Sequence, residues 1–124
     1  MAKILIIDDE KGVRDAVEAV AAAAGHETRS ATDGRQGLAE FARFQPDLVV
    51  TDVLMPEKEG IETIIDLRKL NPTLPILAIS GGGRVGNMSF LTMAERFGAT
   101  QTMAKPFSTA QLMAAFDACL NTKT

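Results

Sequence analysis

The sequence predicts an α/β fold: a doubly wound sheet of five parallel strands with helices on both faces. Three observations carry that reading. Apolar β-branched runs alternate five times with stretches of helical period over 124 residues. The runs Ile4–Ile7, Leu48–Val50 and Ile76–Ile79 are unbroken, as strands covered on both faces are. Four of the five strands then meet a polar or charged residue at once: Asp8, Asp52, Ser80 and Lys105.

Ile4–Ile7 is the first strand. Residues 12–24 place Val13, Val17, Val20 and Ala24 at helical spacing, and Gly25 follows as a C-terminal cap. Glu27–Ala31 is a weaker second strand. Asp33-Gly34 reads as a turn, and Leu38, Phe41 and Ala42 mark a second helix ending before Pro46. Leu48–Thr51 is the third strand. Ile61, Ile64, Ile65 and Leu70 mark the third helix. Pro75–Ile79 is the fourth strand, followed by a glycine-rich stretch (Gly81, Gly82, Gly83, Gly86). A fourth helix is expected from Met88 to Phe97, with Gly98 behind it. Thr100–Ala104 is a short fifth strand. The last helix opens at Ser108 with Gln111 three residues on, the spacing of a capping box, and aligns Leu112, Phe116 and Leu120.

Composition narrows the function classes. An apolar share of 46% builds a core without disulfide or metal staples, and the length fits one domain over residues 1–124. Cys119 has no partner for an internal disulfide, which points to a reducing compartment and a cytoplasmic location. No apolar run approaches the ~18 residues of a membrane span. Ile4–Ile7 is too short, and too soon followed by acids, for a signal peptide. The net charge of -3 is dispersed, which argues against a nucleic-acid partner. Trp and Tyr are absent.

In an open parallel sheet, ligands gather at the carboxyl ends of the strands. There the prediction collects Asp8, Asp9 and Glu10 from the first strand, Asp52 from the third, Ser80 from the fourth and Lys105 from the fifth. At ~5 Å and an effective dielectric of ~20, two ionised carboxylates repel by ~3 kcal/mol. A cluster of Asp8, Asp9 and Asp52 protonates, pairs with Lys105 or holds a cation. Hard oxygen ligands suit Mg²⁺. A carboxylate beside Mg²⁺ and a lysine also suits a phosphoryl acceptor, because both cations offset charge on the transferring group. Plainer readings stand beside this one. The acidic triplet also fits an N-terminal helix cap, Asp52 a loop start, and Lys105 a solvated surface lysine. Convergence of four strand ends favours a site.

The chain resembles the receiver domain of two-component response regulators. The strings that carry the resemblance are Ile6-Ile7-Asp8-Asp9-Glu10, Pro46-Asp47-Leu48-Val49-Val50-Thr51-Asp52, Met55-Pro56 with Gly60, Ser80, and Lys105-Pro106-Phe107. It covers Lys3 to about Leu120. The resemblance implies a flavodoxin-like (βα)5 fold with strand order 2-1-3-4-5. It implies that Asp52 is the phosphoacceptor. Asp9 would bind Mg²⁺ directly and Asp8 largely through water, with Asp52 and the backbone carbonyl of Leu54 completing the ligands. Lys105 would pair with the phosphoryl group, Ser80 would hydrogen-bond one of its oxygens, and the Lys105-Pro106 peptide would be cis. The implied donor is a histidine kinase or a histidine phosphotransfer protein. The implied output is contact with a downstream protein through the fourth helix, fifth strand and fifth helix. No substrate turnover is expected beyond self-phosphorylation and slow self-dephosphorylation, since the apolar Leu54 cannot position an attacking water.

The sequence departs from the family pattern in two places. Thr102 stands three residues before the lysine, where the family carries its switch aromatic, so the usual aromatic coupling cannot operate in its ordinary form. Ser80 to Gly98 spans 18 positions, a longer stretch than the family pattern, with the surplus near residues 81–87. That loop reads either as a neutral insertion or as a remodelled partner surface. Met88, Phe90, Leu91, Met93, Phe97 and Met103 read either as core or as an adaptable face. His26 reads as a surface turn residue. Only Asn121–Thr124 follow the last helix, which fits a stand-alone receiver, although an excised piece of a longer regulator fits too. A pseudo-receiver binding module is a further reading. A Mg²⁺-dependent phosphohydrolase with an aspartyl intermediate fits less well, because Val53 and Leu54 leave no second acid two residues after Asp52.

Overall fold

The computed structural model describes residues 2–53, 60–81, 84–85 and 88–121, with backbone alone at 84, 85 and 88–90. The strands are β1 (Lys3–Ile7), β2 (Glu27–Ala31), β3 (Leu48–Asp52), β4 (Ile76–Ser80), β5 (Arg84–Val85), β6 (Met88–Ser89) and β7 (Gln101–Ala104). The helices are α1 (Lys11–Ala23), α2 (Gly34–Phe44), α3 (Gly60–Leu70), α4 (Phe90–Phe97) and α5 (Thr109–Asn121). Five strands form one parallel sheet in the order β2-β1-β3-β4-β7, which is the predicted 2-1-3-4-5 arrangement.

Successive strand residues face opposite sides of a sheet, and here each side has its own core. Leu5, Ile7, Val49, Ile76 and Ala78 pack with Phe44, Ile64, Leu67 and Ala94 from α2, α3 and α4. Ile4, Ile6, Leu48, Val50, Leu77 and Ile79 pack with Val17, Ala21, Leu112 and Phe116 from α1 and α5. Each such Leu or Ile contributes roughly 1.5–3 kcal/mol on burial, so these strands outweigh any local preference of the connecting segments.

Helix ends are set by side chains and turns. Ala24 closes α1, Gly25 takes φ +88, and the N–H groups of Gly25 and His26 reach back to Ala22 and Ala21. That left-handed step is the one glycine takes without strain. Ser108 and Gln111 cap α5 reciprocally, with Gln111 N donating to Ser108 Oγ at 3.0 Å and Ser108 N to Gln111 Oε1 at 2.8 Å. Arg68 of α3 donates to two carbonyls, Asn71 through Nη1 and Gly98 through Nη2, and so joins the C-terminal ends of α3 and α4.

Several expectations change. The fourth helix begins at Phe90, not Met88. Met88–Ser89 instead pairs antiparallel with Arg84–Val85. The backbone at Met88 and Ser89 is engaged in that ladder, so the helix can start only after it. Asp33 is not a turn residue but the cap of α2, accepting from Gln36 N at 2.8 Å. Leu70 closes α3 with 63% of its surface exposed, so the last member of the predicted apolar stripe lies outside the core. His26 is half-buried. Its Nδ1 accepts from Ala2 N at 3.0 Å and its ring meets Phe116 edge-on. The Met/Phe set divides: Met93 and Met103 pack on the two cores, while Phe97 is 45% exposed. The side chains of Met88 and Phe90 lie outside the described residues.

Candidate functional site

The carboxyl ends of β1, β3 and β4 and the segment after β7 meet at one rim. Asp8 follows β1 and stays in the ladder, its N–H donating to the Ala31 carbonyl. Asp8 Oδ1 accepts from Glu10 N at 2.9 Å, and Arg14 Nη1 donates to the Asp8 carbonyl at 2.8 Å. These bonds hold the step from β1 into α1. Glu10 occupies the cap position of α1 with extended backbone, yet its side chain makes no capping bond.

Asp52 ends β3, in register with Ile79, and Val53 N donates to the Ile79 carbonyl. Gly60 opens α3 directly against this turn. A Cβ on Gly60 would run into the Asp52 carbonyl oxygen and Val53 Cα, so only glycine lets the helix start there. Ser80 ends β4, fully buried, and its carbonyl accepts from Lys105 N at 2.9 Å. The Lys105-Pro106 peptide is cis.

The Lys105 ammonium is the centre of the rim. Its Nζ stands 3.1 Å from Glu10 Oε1, 3.2 Å from Asp52 Oδ2 and 3.3 Å from Asp8 Oδ2. Asp8 and Asp52 are 2% and 4% exposed, so these two charges are taken from water. Burial, helped by the charge of Asp52, raises the Asp8 carboxyl above its ordinary value, against the Glu10 N–H and Lys105. For Lys105, burial acts to lower the pKa, but the charges of Asp52 and Asp8 and the bonds to Glu10 and Asp52 outweigh it, and the shift is upward.

Asp8, Asp9, Glu10 and Asp52 each offer a carboxylate oxygen, and these oxygens lie within 4.8 Å of one another. All are hard donors, and Asp9 and Glu10 are exposed. The set matches what Mg²⁺ takes from protein, a few carboxylates with room for water. Thr102 lies back along β7, half-buried and paired with Ala78. Leu54 lies outside the described residues, as do Gly82, Gly83, Gly86 and Asn87 of the glycine-rich stretch. The contact between Glu10 and Lys105 was not foreseen from the sequence. Its signal was a third acid after the strand, with no capping partner to use it.

Beside Lys105, a groove of about 460 Å³ opens between α1 and the Lys105–Phe107 segment, lined by Val13, Ala16, Pro106 and Phe107.

The fold and this rim place the chain among doubly wound α/β proteins that gather their chemistry at strand ends. Within that class it belongs to the response regulator receiver domain family, whose profile matches residues 4–117. Receiver domains are signal-transduction modules of two-component systems, and phosphorylation and Mg²⁺ are typical of them. The chain is 29% identical over 116 residues to the chemotaxis protein CheY of Thermotoga maritima, covering 93% of this chain and 94% of that one. It is 32% identical to the DNA-binding transcriptional regulator NtrC of Azospirillum brasilense, covering 99% of this chain and 25% of NtrC. Among solved structures, chemotaxis protein CheY4 of Vibrio cholerae superposes with a TM-score of 0.87 at 30% identity, covering 97% and 99% of the two chains. NtrX of Brucella abortus gives 0.90 at 33% identity over 98% of this chain and 27% of NtrX. The chain thus spans a quarter of NtrC and about half (52%) of the response regulator MprA of Mycolicibacterium vanbaalenii. No helix among the described residues is long and apolar enough to cross a membrane.

Proposed function

We propose that residues 1–124 work as one cytoplasmic receiver domain that takes a phosphoryl group onto Asp52 from a histidine kinase or phosphotransfer protein. The observation that carries this reading is the position of Lys105 Nζ, 3.2 Å from Asp52 Oδ2 and 3.3 Å from Asp8 Oδ2. In the transfer, an Asp52 oxygen forms the new bond to phosphorus, the phosphorus–nitrogen bond of the phosphohistidine breaks, and the imidazole keeps the electron pair. Asp9, Asp8, Asp52 and the Leu54 carbonyl would hold Mg²⁺, which would supply positive charge to offset that on the phosphoryl oxygens. Lys105 supplies the second positive charge, and Ser80 donates to a phosphoryl oxygen.

The apolar groove beside Lys105 gives a protein donor a surface next to the acceptor. Ser80, drawn toward the phosphoryl group, shifts the β4–α4 connection between two states. With Thr102 in place of an aromatic residue, that connection carries the response to a downstream protein at α4, β7 and α5. Leu54 keeps self-dephosphorylation slow.

Acetyl phosphate with Mg²⁺ tests the reading. The intact chain is expected to gain one phosphoryl mass, and Asp52→Asn to gain none. Label that persists on Asp52→Asn, or a wild-type chain that takes none, overturns it; the second result is what a pseudo-receiver would give.

A further inference from the structure

A lysine ammonium has three N–H donors and no acceptor. In this rim three carboxylate oxygens stand within 3.3 Å of Lys105 Nζ, one from each of Asp8, Glu10 and Asp52. Nζ donates to Glu10 Oε1 and Asp52 Oδ2, and Asp8 Oδ2 completes the ring as an ion pair, so a phosphoryl oxygen approaches Lys105 at the expense of one of these carboxylates. The three are not equal. Asp8 and Asp52 are 3% and 4% exposed in their side chains, and the other oxygen of Asp8 is tied to Glu10 N. The Glu10 side chain is 63% exposed and caps nothing, although it sits at the start of α1. Water can take over its bond, so its release costs little, as for other exposed ion pairs.

We infer that Glu10 is the displaceable partner of Lys105: it holds one ammonium N–H in the resting protein and yields it to the incoming phosphoryl group. The inference rests on the reading of Asp52 as the acceptor. Glu10 forms no bond to phosphorus and exchanges no proton; only its hydrogen bond to Nζ is lost. Its second effect has the same sign, since a carboxylate at the rim repels an anionic donor. Glu10 is thus a positioning residue that restrains phosphorylation by small anionic phosphodonors. A donor protein that brings its own cations to the rim bypasses the restraint.

The test compares Glu10→Gln with the wild-type chain in initial labelling by acetyl phosphate and Mg²⁺, at low and high salt. Removing one rim charge is expected to speed labelling by roughly 3- to 10-fold at low salt, with the gap narrowing as salt screens it. Phosphoramidate, which carries less negative charge, is expected to show a smaller gain. Melting temperatures are expected to match, since Glu10 makes no capping bond; Glu10→Ala should act in the same direction. Equal or slower labelling of Glu10→Gln overturns the inference while leaving Asp52 as the acceptor. Slower labelling together with weaker Mg²⁺ binding by calorimetry also overturns it and assigns Glu10 to the metal. A wild-type chain that takes no label removes the reading of Asp52, and the inference falls with it.

Discussion

Lys105 and Asp52 lie 53 positions apart in the chain, and their Nζ and Oδ2 atoms stand 3.2 Å apart at the rim. One cation therefore neutralises charges delivered by two different strand ends. Lys105→Ala is expected to slow labelling by acetyl phosphate at least about tenfold, as loss of a charge stabiliser at a transferring group does. The loss should exceed the effect on folding. Parallel loss of labelling and melting temperature would make Lys105 a structural residue instead. The raised Lys105 pKa also has a sign. Its pairing contributes fully below the ordinary lysine value and is lost as pH rises through the higher folded-state value. Wild-type stability is therefore expected to fall on an alkaline limb that Lys105→Met lacks.

Asp8 carries the opposite liability. Burial raises its pKa, so its contribution to stability is present below the unfolded carboxyl value and is lost as pH rises through the higher folded value. At neutral pH without Mg²⁺, Asp8→Asn should melt a few degrees higher than wild type. The gap should close as pH falls through the acid range. Added Mg²⁺ should raise the wild-type melting temperature more than that of the variant, by linkage. A variant less stable than wild type at neutral pH would show that the Lys105 pairing outweighs burial.

Gly60 sets how closely α3 approaches the end of β3. Gly60→Ala drives a methyl group against the Asp52 carbonyl and Val53 Cα, so the backbone beside the acceptor must move. A cost of about 1–3 kcal/mol in chemical denaturation is expected, with slower labelling of Asp52. Unchanged values on both counts would mean that the turn relaxes freely.

Cys119 is wholly buried in α5, and burial pushes its thiol up to about 12. Alkylation at mild alkaline pH should therefore follow the unfolded fraction, and speed up in step with it as denaturant is added. A rate that does not respond to added denaturant below the unfolding transition would show that the thiol is reached in the native state.

Strands β1, β3 and β4 were legible because burial on both faces leaves an unbroken β-branched run, which turns and helices rarely show. The rim residues were legible for a related reason: a charge straight after such a run has to emerge at the sheet's end. Asp33 was misread because Asp-Gly serves both a turn and a helix cap, and only the bond to Gln36 N separates them. The β5–β6 hairpin hid inside a stretch whose Met and Phe residues also fit helical spacing. The Glu10–Lys105 contact joins side chains 95 positions apart, which no local pattern encodes.

The two bonds of Arg68 have a mechanical consequence. They rivet the C-terminal end of α4 to α3 through the Gly98 carbonyl, while the other end of α4 follows the β5–β6 pair. The fastening adds to the packing of Ala94 and Met93, which hold the middle of α4 against the core. Anything that draws α4 away from α3 has to break the Gly98 bond or carry Arg68 along with it. One guanidinium thus ties together two helices that meet the sheet separately.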